Sequence, residues 1–110
     1  MSINDLDSLL NSNSVQVTVR SDRATLRNAK GRHYGHMVFI SIEFVANVTS
    51  HTLFDIPADL HPIINTALAI YSNNATTQTI QALLFADGSI SVNGLTVGQT
   101  YTISGVYCVV

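Results

Sequence analysis

The amino-acid sequence predicts an all-β domain: an antiparallel β-sandwich or jelly-roll-like barrel of seven to eight short strands. Three observations carry this reading. Apolar residues recur with a period of two from residue 15 onward, turn signals separate the runs at regular spacing, and no convincing long helical pattern is present. A length of 110 residues fits one domain with its own core.

The first fourteen residues stand apart. Ile3, Leu6, Leu9 and Leu10 follow helical spacing until Asn11-Ser-Asn-Ser ends it, and a helix this short is marginal on its own in water. Residues 1–14 are expected to be a stub or linker, either a frayed lead-in or the end of a stalk, ahead of a domain covering residues 15–110. Val15, Val17 and Val19 alternate with Gln16, Thr18 and Arg20, as in a half-buried strand. Ala24, Leu26 and Asn28 then alternate with Arg23, Thr25 and Arg27, and residues 28–32 (Asn-Ala-Lys-Gly-Arg) read as a turn.

Residues 34–48 form the best-marked strand. Val38, Ile40, Ile42, Phe44, Ala46 and Val48 are apolar without exception, while the odd positions pass from Met37 and Phe39 through Ser41 and Glu43 to Val45 and Asn47. One face is therefore core, and the other is apolar at one end and wet further along. A second, partly apolar face is what a subunit contact requires. Residues 52–56 give a short strand that enters a loop bracketed by Pro57 and Pro62. Residues 67–72 give another strand, with a loop at residues 73–77. Asp87-Gly88 reads as a two-residue type I′ turn, which sets Phe85 opposite Ile90 and Leu83 opposite Val92. Asn93-Gly94 and Val97-Gly98-Gln99 supply further turns before the last strand, residues 101–110. Cys108 on that strand is expected to be a small buried residue.

Charge is segregated along the chain. Its five basic residues, Arg20, Arg23, Arg27, Lys30 and Arg32, lie together, and beyond residue 60 the only formal charge is Asp87. Charged residues make up 11% of the chain, against a usual share of about 25%. A soluble monomer normally spreads both signs over its surface, so the pattern points to an oligomer or an adhesive module. With a net charge of −2 the composition does not suit a nucleic-acid binder. The single cysteine excludes an internal disulfide and a multi-cysteine zinc site. No apolar run approaches the roughly 20 residues that span a membrane, and an N-terminus carrying Asp5 and Asp7 shows no export signal. No nucleic-acid partner and no membrane insertion are expected.

Four segments in order carry a resemblance: residues 37–48, residues 53–62 (Leu-Phe-Asp-Ile-Pro-Ala-Asp-Leu-His-Pro), residues 85–92 (Phe-Ala-Asp-Gly-Ser-Ile-Ser-Val) and residues 98–107 (Gly-Gln-Thr-Tyr-Thr-Ile-Ser-Gly-Val-Tyr). Together they resemble the C-terminal head domains of receptor-binding and tail-baseplate proteins of bacteriophages that infect Gram-positive bacteria. The resemblance covers nearly all of the chain after Ser14. It implies a homotrimeric virion component, made in the host cytoplasm and carried on the tail or baseplate beside other virion proteins. It also implies binding of a host cell-wall saccharide or phospho-polysaccharide, and an N-terminal stub that continues into a stalk in a longer parent protein. Such heads often place Trp in the sugar site; this chain has none, and no binding residue is carried over.

The residues themselves offer candidates. Arg23, Arg27, Lys30 and Arg32 suit phosphate oxygens, because guanidinium forks match them; the competing reading is a solvated outer strand whose charges keep an edge from pairing. Tyr34, His36, His61 and Tyr71 suit sugar contact, a flat ring covering the apolar face of a pyranose. His33 and His36 are three apart on an extended chain and point to opposite faces, so no metal site is expected. Asp55 and Asp59 flank Pro57, a spacing that suits loop capping better than a catalytic carboxylate pair. Neither a catalytic residue nor a cofactor is assigned. Two functions follow as expectations: a non-catalytic host-recognition head that attaches to cell-surface polysaccharide, and a structural trimerising tip or adaptor of a tail fibre or baseplate that binds no sugar.

Overall fold

A computed structural model describes residues 15–73 and 80–109; the expected lead-in at residues 1–14 and most of the expected loop at residues 73–77 lie outside the described residues. Eight strands follow one another: β1 (Thr18–Val19), β2 (Ala24–Tyr34), β3 (Met37–Ala46), β4 (His51–Asp55), β5 (Thr66–Ser72), β6 (Gln81–Leu84), β7 (Ser89–Asn93) and β8 (Thr100–Cys108). One turn of 3₁₀ helix, Ala58–Leu60, sits in the proline-bracketed loop. Every pairing is antiparallel, and the strands lie in the order β1-β4-β7-β6-β5-β8-β3-β2. β1 and β2 approach each other, so the sheet nearly closes on itself as a barrel. The predicted all-β class is the observed one.

β5 makes the corner. Its residues 66–68 pair with β6 and its residues 69–72 pair with β8, so one strand is shared by two half-sheets. The core lies between them. Val38, Ile40, Ile42, Phe44 and Ala46 of β3 are all buried, as their parity requires. Phe44 meets Phe54 of β4 edge-on, with centroids 5.2 Å apart, and stacks on Tyr101 of β8 at 5.8 Å. A register shift between Thr52 and Phe54 allows the consecutive Leu53 and Phe54 both to be buried. The Tyr101 hydroxyl accepts the Thr96 backbone N–H at 2.8 Å, and the Tyr107 hydroxyl donates to the Leu60 carbonyl at 2.9 Å.

Three details of the sequence reading are corrected. Residues 28–32 are strand, not turn: Lys30 pairs with Ser41, Gly31 with Ile40 and Arg32 with Phe39. The turn comes later, at Gly35-His36, where Gly35 takes φ 59° at the first central position. Gly31 serves a close approach rather than a reversal, since a Cβ there would lie 2.7 Å from Val15 Cβ. The Asp87-Gly88 hairpin is also one residue longer than expected. Only Gly88 has positive φ, and the Gly88 N–H donates to Phe85 while the Phe85 N–H donates to Ser89. This is a type I turn followed by a bulge glycine, so Leu84 faces Ile90 and Ala82 faces Val92. Asp87 instead uses Oδ1 to accept the Ser89 N–H and hydroxyl, which hold its carboxyl below the usual range. Finally, Cys108 is exposed, because Tyr107 and Val109 take the inward parity of the last strand.

Gly31→Ala is expected to lose about 1–3 kcal/mol, since Val15 must leave its seat under β2; a denaturation midpoint equal to wild type would show that this seat tolerates a methyl. Burial pushes the Tyr107 phenol up to about 12, while an unfolded tyrosine ionises near pH 10. The folded phenol therefore keeps its proton where the unfolded chain has released one. Stability is intact below about pH 10 and falls as pH rises toward 12. Tyr107→Phe should cost about 1 kcal/mol at neutral pH through the lost Leu60 bond, and should decline less steeply than wild type in alkaline denaturation; equal slopes would exclude Tyr107 as the titrating group.

Candidate functional site

Because the inward positions of β2, β3, β8 and β5 are fixed by the core, the outward positions line up in rows across these four strands. At one end Tyr34, Met37 and Cys108 share a row, followed by Arg32, Phe39 and Val106. Next come Lys30, Ser41, Ser104 and Ala69, then Asn28, Glu43, Thr102 and Tyr71. The first two rows are apolar over a wide area: Tyr34, Met37, Phe39 and Val106 are each 42–48% exposed, and Tyr34 meets Phe39 edge-on at 6.1 Å. Exposed Ile63 and Ile64 adjoin this end, where the Ile63 N–H donates to the Cys108 carbonyl. In the third row Ser41, Ser104 and Ala69 are short side chains, and only Lys30 at the β2 end is long.

That change of height makes a trough. A shallow depression of about 610 Å³ has Ser41, Ser104, Ala69 and the backbone of Gly31 and Gly105 as its floor, with Phe39 and Val106 on one side and Lys30 and Arg32 at the β2 edge. Beside it a smaller hollow of about 170 Å³ is lined by Asn28, Lys30, Ser41, Glu43, Tyr71 and Thr102. Gly105 answers a need on the other side of the sheet, where Leu68 Cδ2 lies 2.5 Å from the place of a Cβ. The fourth row is braced. Asn73 Nδ2 donates to Glu43 Oε2 at 3.0 Å, its Oδ1 accepts the Thr102 hydroxyl at 3.0 Å, and its backbone N–H donates to Thr100 at 2.9 Å.

The eight residues singled out from sequence divide between this face and the rest of the barrel. Lys30, Arg32, Tyr34 and Tyr71 lie on the face, and His36 is exposed in the turn next to Tyr34. Arg27 is the extra residue of a register shift between Leu26 and Asn28, exposed on the edge strand. Arg23 turns the other way: its Nη1 donates to the Thr52 carbonyl at 2.9 Å and meets His51 Nδ1 at 2.8 Å. His61 is a packing residue, with Nε2 3.1 Å from the Ile56 carbonyl and its ring against Gly88. The basic window is thus not one patch. Arg20 pairs with Asp55 through two contacts, which hold the guanidinium firmly charged. Asp55 is engaged there, while Asp59 is exposed in the 3₁₀ turn, so the two carboxylates form no cleft.

Glu43, Asn28, Thr102, Ser104 and Asn73 were not singled out from sequence. The alternation of polar residues on β3 and β8 contained the signal for Glu43, Thr102 and Ser104, but only the register aligns those strands, and Asn28 was hidden in the stretch read as a turn. Asn73 follows the end of β5 and carried no signal. Among the described residues, no group of three His, Cys, Asp or Glu is placed to hold a metal ion, and no helix is long and apolar enough to cross a membrane. No protein-family model matches the chain, and comparison with curated proteins and with solved structures also finds no match.

Proposed function

We propose that this domain is a non-catalytic, homotrimeric recognition head of the phage receptor-binding kind, carried on a virion tail or baseplate, that attaches to a polysaccharide of the host cell surface. The observation that supports it is the outer face of β2, β3, β8 and β5. An open trough with a floor of small side chains, cations at one edge and exposed rings at both ends suits a linear chain of hydroxylated units lying across the strands. A shallow open surface of this kind favours an extended polymer over an enclosed small molecule. Trimerisation multiplies a weak single contact through avidity for a repeating ligand.

One observation favours the second reading, a structural tip or adaptor that trimerises and binds no sugar. The apolar end groups the exposed Tyr34, Met37, Phe39 and Val106 on adjacent strands, and contiguous exposed apolar side chains are the chemistry of subunit contacts. The two readings agree on oligomerisation and part at the trough.

Light scattering of the isolated domain at micromolar concentration is expected to give the mass of a trimer, and Phe39→Ser to reduce it to that of a monomer; a monomeric wild type would overturn the trimer. Attachment to host cells or purified wall polymer, competed by free sugar, tests recognition, and its absence from an assembled trimer at millimolar competitor-free ligand would leave the structural reading. For an anionic wall polymer, Arg27→Gln with Lys30→Gln should weaken attachment more at low than at high salt. Unchanged low-salt attachment would reduce both cations to edge protection.

A further inference from the structure

We propose that the row formed by Asn28, Glu43, Thr102 and Tyr71, braced by Asn73, is a subsite for one uncharged pyranose ring. This deepens the adhesion reading and rests on it in placing that ring within a longer surface glycan. Three features of the row carry the inference.

The first is a carboxylate whose direction is set. Asn73 occupies Glu43 Oε2 and is itself fixed by the Thr102 hydroxyl and by its backbone bond to β8. Oε1 accepts no hydrogen bond among the described residues. A carboxylate oxygen held in place is an acceptor for hydroxyl protons, and such charge-assisted bonds are about twice as strong as neutral ones. The same charge repels phosphate and carboxylate groups. The centre of the row therefore selects hydroxyls without formal charge.

The second is Tyr71, which stands 57% exposed at one end of the row, opposite Thr102 in register. An exposed ring at the end of a polar row presents a flat apolar surface to the C–H face of a sugar, leaving its hydroxyls to the row itself. The third is spacing. Four antiparallel strands about 4.8 Å apart give the row a width of roughly 14 Å, with Asn28 and Lys30 supplying N–H donors at the far end. The neighbouring row, Ser41 and Ser104, is short enough to leave the ring room. Acceptor, donors and ring platform thus converge on one hollow, and the cations Lys30 and Arg32 lie on its trough side.

The test is a titration of the isotope-labelled full chain with glucose, galactose, mannose and N-acetylglucosamine at millimolar concentration, followed by amide shifts, with glycerol phosphate as the anionic comparison. At least one neutral sugar should move residues around Glu43, Thr102 and Tyr71, ahead of those around Arg32. Glu43→Gln keeps the shape but removes the charge and should weaken that binding about tenfold, as should Tyr71→Ala. Both are surface changes, and an unaltered denaturation midpoint checks folding. Shifts with glycerol phosphate alone, or with no sugar at all, overturn the subsite, as does full affinity in both variants. Sugar binding at the row without attachment of wild type to cells would instead overturn the adhesion reading and leave the subsite standing.

Discussion

The contact on which the barrel depends is the meeting of Phe44, Phe54 and Tyr101. Phe44 and Tyr101 are register partners on β3 and β8, and Phe54 comes from β4 in the opposite half-sheet. Each is fully buried. Aromatic side chains bury about 150–250 Å² apiece, so three together dominate a core of this size. The bulge at Leu53 exists to serve the contact, since it lets two successive apolar residues enter the interior where strict alternation would expel one. With the inward parity of β3 and β8 set at Phe44 and Tyr101, no outward residue on either strand has any freedom of face: a slip by one position would exchange Ile42 for Glu43 in the core.

The layout of the outer face is therefore a consequence of the core. Glu43 lies outward because Ile42 and Phe44 lie inward, and Thr102 lies outward because Tyr101 and Ile103 do not. Antiparallel register then sets Glu43 beside Thr102, and Thr102 beside Tyr71. A site on paired strands is held more rigidly than one on loops, which suits recognition by shape and hydroxyl placement. The switch of β5 from β6 to β8 is what brings Tyr71 and Asn73 to this face at all. Had β5 remained paired with β6 along its length, the row would have ended at Thr102.

Parity was legible in the sequence and register was not. The alternation in residues 38–46 is strict enough to name the core and to separate the apolar Met37 and Phe39 from the wet Ser41 and Glu43. The reading of residues 28–32 as a turn failed because Gly31 looks like punctuation, whereas it is there to let Val15 approach the strand. The hairpin at Asp87 was recognised but misregistered by one residue, because Asp-Gly serves both a two-residue turn and a type I turn with a bulge. The arginines were read as one group because they are neighbours in the chain. A strand alternates its faces and a bulge at Arg27 interrupts that alternation, so Arg23 and Arg32 belong to different surroundings. Asn73 was illegible for a different reason: its role depends on Glu43, thirty residues away.

The basic strand illustrates how one feature serves two ends. β2 is an edge of the sheet, and an exposed edge invites pairing with another chain. Arg27 at a bulge and Lys30 further along the edge are the devices that discourage it, and edge protection is enough to account for these two cations. That explanation does not extend to Glu43, which lies one strand inward and protects no edge. It is a carboxylate on the interior of an outer face, held by the Asn73 amide rather than paired with either nearby cation. In the proposed subsite a ligand would supply hydroxyls to it, and on that proposal Glu43, rather than the basic window, is the residue of this face on which recognition turns.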